Sequence, residues 1–239
     1  MNINNLLSDF KEALQAPQLN VDLGRKSAEA NNPFFFETVS NFYNSAIKRH
    51  SKFPFIRTLQ YGMALLQLPT NSEKYLQSLP SSARRNIKKA KRNGYQFERI
   101  NYNNYLDDIG DIHRSTSVRQ GHMDSTFMNQ ELKPINNPVS IDEYHDYAYF
   151  GVIKDGKLRS YAGCMIAGEM LLLATIFGHE QYKSDAVVPY LIAGIAEYKY
   201  SHYPHVKYYV YDKYYGASEN LRRFKRKFRF KPHTVNWQF

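Results

Sequence analysis

The sequence predicts an α/β fold: a mixed, mostly antiparallel central sheet flanked by helices. Three observations carry that expectation. Residues 147–177 hold three strand-like runs, YAYFGVI, LRSYAGCMIA and MLLLATIF, the first two joined through Lys154-Asp155-Gly156-Lys157. Asp-Gly between apolar runs is a strong short-range hairpin signal, so the three runs form an antiparallel meander. From residue 170 onward the periodicity reads β-α-β-α-β, and a strand–helix–strand unit places its two strands parallel in one sheet. The 239 residues suffice for one large domain with a sizeable core.

In chain order, residues 3–15 read as a short amphipathic helix with Ile3, Leu6, Leu7, Phe10 and Leu14 on one face, ended by Pro17. Residues 17–33 are polar and read as irregular, and the aromatic-rich residues 34–50 read as a helix. After the turn Phe53-Pro54-Phe55, a strand is expected over 56–68, closed by Pro69. Residues 1–55 thus read as an N-terminal helical extension to a main domain over 56–239. A short helix follows over 72–79 with Ser72 as its cap, then a second over 82–93 capped by Ser81 and stopped by Gly94. Its apolar stripe is only Ala83, Ile87 and Ala90, so it lies flat on a core with a broad cationic surface outward.

An edge strand is expected over 95–101, a helix over 103–119, a long loop over 120–138 and a helix over 140–147. Beyond the meander come a helix over 186–201, a strand over 206–212, a basic helix over 217–228 with Ser218 as cap, and a terminal strand KPHTVNWQF. No internal repeat or low-complexity tract is present.

Composition excludes several classes. The single Cys164 builds neither a disulfide framework nor a zinc site, and its apolar run reads as a buried inert thiol. The eight histidines show no metal-ligand spacing, so no metal is expected. The most apolar stretch, 162–177, is broken by Glu169 and a turn, so no membrane span is expected. The N-terminus lacks the basic start and unbroken apolar stretch of a signal peptide, and a cytoplasmic location is the expectation.

The net charge of +10 is clustered. Residues 84–92 and 222–231 together hold thirteen of the 32 lysines and arginines. Such runs attract polyanions, whether nucleic acid, phosphorylated donors or anionic surfaces; a solvated helix face is the alternative reading of each.

The segment YGMALLQLPTNSEKYLQSLPSSARRNIKKAKRNGYQFERI resembles the pattern of FemABX-like proteins, a branch of the Gcn5-related N-acyltransferase (GNAT) superfamily. HRSTSVRQG at 113–121, the Asp155-Gly156-Lys157 turn, Asp212 at a strand end, Phe224-Lys225 in the last helix and the closing FKRKFRFKP are similar to further family positions, with Arg229 where the family usually has glycine. The likeness covers about residues 60–235. It implies a GNAT-like domain over 56–239 that moves an acyl or aminoacyl group onto an amine acceptor by direct transfer, from acyl-CoA or aminoacyl-tRNA. Two alternatives stay open: an aminoacyl-tRNA-dependent ligase forming a peptide bond, and a non-catalytic nucleic-acid-binding module. One departure stands out. Where GNAT enzymes hold the coenzyme A pyrophosphate on a glycine-rich turn, the stretch 178–185 has no glycine after Gly178, and Asp185 opposes an anion at the next helix start.

Acyl transfer to an amine needs a neutral amine, a stabilised oxyanion and a proton path to the leaving group. The resemblance makes Lys225 the leading catalytic candidate, since the family's lysine contacts a substrate phosphate, and places Phe224 beside it. Asp212, at a strand's carboxyl end, is a candidate to orient or deprotonate the amine. His179 and Glu180, just after the fourth strand, are candidate bases. Tyr211, Tyr214 and Tyr215 are candidate proton donors or cleft walls, against core packing as the plainer reading. Arg84, Arg85 and Lys88 are candidate phosphate ligands, and Arg119 matches the family's helix-end arginine.

Overall fold

The structure is a computed structural model and describes residues 12–13, 15–51, 55–118 and 125–239. The expected first helix lies mostly outside the described residues, as does Arg119. Eight strands form one sheet in the order β1-β8-β2-β7-β6-β5-β4-β3. The meander is β4 (His145–Lys154), β5 (Lys157–Ala167) and β6 (Met170–Gly178), antiparallel throughout. Asp155 and Gly156 at its first turn have φ of 53° and 71°, the pair of positive values that a two-residue hairpin of matching twist requires. β7 (Tyr208–Lys213) runs parallel to β6 after a crossover, and β3 (Gln96–Ile100) is the edge strand beside β4. β2 (Met63–Gln67) is antiparallel to both β7 and β8 (Lys231–Gln238).

Several expected elements differ, each for a local or tertiary reason. Residues 17–33 are not irregular. They form β1 (Gln18–Asp22), parallel to β8, and the short helix α1 (Arg25–Ala30). Val21 and Leu23 are fully buried there, so partners from the far end of the chain order a segment with little local signal. The helix α2 (Pro33–Ile47) begins with proline and is capped by Asn32, whose side chain accepts from Phe34 N–H at 3.0 Å. The strand expected over 56–68 is only β2, because the chain turns through residues 55–61 first. In α3 (Ser72–Ser78) the cap is Asn71 rather than Ser72; it accepts from Lys74 N–H at 2.9 Å. In α4 (Ser81–Arg92) the cap position is Pro80, and Ser81 is already helical.

The helix expected over 103–119 is a 3-10 turn at Tyr102–Tyr105 followed by α5 (Leu106–Arg114). A short helix, α6 (Ser125–Asn129), lies within the expected loop. Residues 140–147 are not helical. Asp142 Oδ1 accepts from the N–H groups of both Tyr144 and His145 at 2.8 Å, which consumes the donors a helix would use, and β4 starts at His145.

The first core fills one face of the sheet under α4 and α7 (Val187–His202), with Ala83, Ile87 and Ala90 inward as the stripe predicts, and under α8 (Glu219–Lys227). α8 is capped by Ser218, which accepts from Leu221 N–H at 3.3 Å. On the other face α2 packs over β1, β2 and β8 around Val39, Met63 and Trp237, and a third cluster lies beneath α5 around Ile109, Ile112 and Leu158. Among the described residues no helix is long and apolar enough to cross a membrane.

Candidate functional site

The sheet opens between β6 and β7, one of its two parallel pairs. β6 and β7 pair over only three residues, Met170–Leu172 against Tyr208–Val210, although β6 continues to Gly178. The cause is visible on the other edge of β6. Gly163 is opposite Thr175 but Cys164 is opposite Leu173, so Ala174 is an extra residue, and such a bulge bends and twists its strand. β7 ends differently: Asp212 takes a left-handed φ of 50°, and the chain turns away. Among the described residues no strand pairs with β6 over 173–176, so the main-chain groups of alternate residues there face a gap.

That gap is a cleft of about 900 Å³. One wall is the free stretch of β6 with Thr175 and Ile176, and the opposite wall is Tyr211 and Asp212. Val187, Val188 and Pro189 at the start of α7 close it, and Leu221, Phe224 and Lys227 of α8 form its roof with Asn86 of α4. With its amide turned so that the oxygen faces α8, Asn86 accepts from Lys227 Nζ at 3.0 Å. Burial, then the charges of Arg223 and Arg85, lower the pKa of Lys227. Lys227 lines the cleft with Arg223 and Arg85 near it, and among the described residues none of the three has a carboxylate partner.

The candidates from the sequence fall into two groups. Asp212, His179, Glu180, Tyr211 and Phe224 all line the cleft. Lys225 does not. It is 1% exposed, its Nζ donates to the Lys213 carbonyl at 2.7 Å and sits 4.6 Å from the centre of the Tyr211 ring, behind the wall that Tyr211 forms. Burial pushes its pKa down to about 8, with the charge of Asp212 opposing. Tyr211 itself is held protonated by burial first and by Asp212 second, which raises its pKa.

His179 has both ring nitrogens engaged. Nδ1 accepts from Gln181 N–H at 3.2 Å, which assigns the proton to Nε2, and Nε2 faces Asp111 Oδ2 at 3.2 Å. Glu180 pairs with Lys183 at 2.9 Å while its N–H donates to Ser115 Oγ at 3.1 Å, so the turn after β6 is fastened to the end of α5. Arg84 donates to the carbonyls of Gln77 (2.9 Å) and Leu79 (2.7 Å), satisfying the end of α3. Arg85 and Lys88 are exposed on α4. Tyr214 accepts from Arg226 Nη1 at 3.2 Å, and Tyr215 packs against Gly62 on the far side of α8, away from the cleft.

Sequence reasoning did not single out Lys227, Asn86 or Thr175 as site residues. For Lys227 a signal existed: Leu221, Phe224 and Lys227 recur every third residue and share one helical face, whereas Lys225 lies one position round from it. The bulge at Ala174 has no local sequence mark. Among the described residues no group of three or more His, Cys, Asp or Glu side chains converges to hold a metal ion.

No family model matches the chain, and no curated protein does. Among solved structures it is similar to FemX, with a TM-score of 0.55 at 12% identity over 73% of this chain and 60% of that one. It is also similar to the C-terminal DUF2156 domain assigned to a lysylphosphatidylglycerol synthetase of Agrobacterium fabrum (TM-score 0.47, 12% identity, 72% and 57% covered). A tandem GNAT protein from the clavulanic acid biosynthesis pathway is similar at a TM-score of 0.41 and 13% identity, with 59% and 43% covered. The chain spans less than two thirds of the length of each of these. What the FemX likeness shows is the fold, which the chain shares with FemX.

Proposed function

We propose that this GNAT/FemABX-like chain transfers an acyl or aminoacyl group from an anionic carrier to an amine, directly, across the cleft between β6 and β7. The observation that carries the reading is the free edge of β6 set beneath a cationic rim. A donor carbonyl laid along residues 173–176 meets strand-edge N–H groups, which bind its oxygen more strongly as negative charge develops there. The amine nitrogen bonds to the carbonyl carbon while the carrier's C–S or C–O bond breaks. The proton lost by nitrogen balances the one gained by the leaving sulfur or oxygen. In this reading Asp212, exposed on the opposite wall, holds the incoming ammonium and takes its proton. Phe224 and Tyr211 provide apolar walls that exclude water.

The start of α7 bears on the donor. Its first three residues are Val187, Val188 and Pro189, and proline has no N–H to offer a phosphate. The residue before its cap, Asp185, is anionic and tied to Tyr95 at 2.7 Å and Asn93 at 3.1 Å. A pyrophosphate cradle is poorly served there, whereas Lys227, Arg223 and Arg85 offer spread-out cations on two helices. This favours an aminoacyl group carried on a polynucleotide over coenzyme A.

The test is product formation. The chain is incubated separately with aminoacyl-tRNA and with acyl-CoA, each with a panel of amines, and amides are sought by mass spectrometry. An enzyme-dependent amide that Asp212→Ala slows supports the reading. Absence of product with both donors, together with equal and steeply salt-dependent binding of charged tRNA, uncharged tRNA and DNA, replaces it with a nucleic-acid-binding module.

A further inference from the structure

A second cavity, of about 540 Å³, lies at the edge of the sheet beside β4. β3 stops at Ile100, opposite Tyr149, while β4 begins at His145, so among the described residues no strand lies beside 145–148 on that edge. Tyr102, Tyr147 and Tyr149 line the resulting groove as one aromatic surface, with ring centroids 4.8 Å apart for Tyr102–Tyr149 and 5.5 Å for Tyr147–Tyr149. Another wall is polar: Asp146 accepts from Tyr203 Oη at 2.5 Å and from Arg99 Nη2 at 2.9 Å. The lip is residues 135–143, pinned by Asn103, whose amide donates to the Ile135 carbonyl at 2.8 Å and accepts from its N–H at 2.9 Å. Asn136 and Asn137 follow on that lip and line the groove.

Groove and cleft meet over one residue. Tyr149, Gly163 and Thr175 are directly in register across β4, β5 and β6, so they share a face. Thr175 lines the cleft and Tyr149 the groove. A Cβ on Gly163 would stand 2.9 Å from Thr175 Oγ1 and 3.1 Å from Tyr149 Cε1, so glycine lets these two side chains, one from the cleft and one from the groove, close in above it. Two strand spacings separate the ends of this row, about 10 Å.

We propose that the tyrosine groove binds the sugar portion of an amine-bearing acceptor and presents its amine past Tyr149 and Thr175 to the cleft. The destination of the amine rests on the transferase reading; the binding does not. Tyrosine faces take the C–H face of a sugar ring, and planar amides such as Asn137 offer a donor and an acceptor side by side to neighbouring hydroxyls. Asp142, Glu143 and Asp146 outnumber Arg99 in the lining, which suits an ammonium and repels a phosphate chain. An extended peptide is a poorer fit, because the open strand edge is only four residues long and most of the polar groups are side chains.

The experiment titrates the whole chain with glucosamine disaccharide, and separately with the tripeptide Gly-Lys-Gly, by calorimetry or ligand-observed NMR. Saturable sugar binding is expected, weakened by about tenfold or more in Tyr149→Ala and in Asn137→Ala. Asn137 is on the lip, so its variant reads the groove without disturbing the core. No saturable sugar binding, equal binding in both variants, or tighter binding of the tripeptide overturns the proposal. Sugar binding that both variants lose, in a chain that transfers no acyl group, keeps the groove and removes the transferase reading. Transfer to amines without sugar binding does the reverse.

Discussion

Lys225 Nζ donates to the main-chain carbonyl of Lys213 at 2.7 Å, and this bond fastens the chain where β7 leaves the sheet. The residue before Lys213 is Asp212, held in a left-handed conformation on the cleft wall. The buried lysine therefore reaches the cleft through the backbone of Asp212 and the ring of Tyr211.

Burial holds the pKa of Lys225 near 8, below the ordinary 10.5. Between those values the unfolded chain keeps a proton that the folded chain has released, so the unfolding free energy gains a positive slope with pH in that window. The cost of the buried charge is fully present below about 8. Lys225→Met removes the titration, and the gap between wild-type and variant melting temperatures should change across the window; a constant gap would show that Lys225 does not titrate there. On the transferase reading, Asp212 also loses its anchor, and transfer should slow by up to about 100-fold.

Tyr95 Oη donates to Asp185 at 2.7 Å, while Lys89 Nζ holds the Ser184 carbonyl at 2.7 Å, so α4 and Tyr95, three residues beyond its end, clamp the turn that leads into α7. A hydrogen bond to a charged acceptor contributes roughly 1.5–3 kcal/mol. Tyr95→Phe keeps the ring and removes the bond. Its melting temperature should fall by roughly 3–10 °C, measured by circular dichroism; an unchanged value would mean that Asp185 finds an equivalent partner.

Much of this architecture was legible locally. Asp155-Gly156 announced the hairpin, Ser218 announced its helix, and the stripe Ala83, Ile87 and Ala90 announced which side of α4 is buried. What escaped depends on distant partners. Val21 becomes a strand residue because Trp237 is its neighbour in register, more than two hundred positions away. His145 begins a strand because Asp142 takes the N–H groups of Tyr144 and His145 and the Leu23 carbonyl accepts from its Nε2 at 3.0 Å. Five of the sequence candidates, His179, Glu180, Tyr211, Asp212 and Phe224, line the cleft, because strand ends and the last helix form part of its wall. The choice between Lys225 and Lys227 was not foreseen, because family likeness marked one and helical phase puts the other in the opening.

Gly194 separates two competing effects. In the middle of a helix, Gly→Ala gains about 1 kcal/mol of helix propensity. Here a Cβ would stand 2.3 Å from Phe97 Cδ2 and 2.5 Å from Phe97 Cγ, next to the base of the ring, where rotation gives little relief. Overpacking of a core costs roughly 1–3 kcal/mol. Gly194→Ala should therefore be net destabilising, with hydrogen exchange accelerated first in β3, the edge strand that carries Phe97. A rise in melting temperature would mean that Phe97 moves aside freely.

The cations at the cleft rim should report themselves through salt. Lys227 lines the cleft with Arg223 and Arg85 close enough to depress its pKa, and among the described residues no acid neutralises them. If a polyanionic carrier sits on them, each phosphate contact contributes a slope of about −0.7 in log K against log salt for a single strand. Lys227→Gln and Arg223→Gln should each weaken binding of an aminoacyl-tRNA or its acceptor-end oligonucleotide and reduce that slope by about that amount. Lys48→Gln, on the far side of the sheet beyond α2, serves as the control of equal charge change. Identical slopes for all three variants would place the carrier's phosphates elsewhere and leave the rim as a solvated surface.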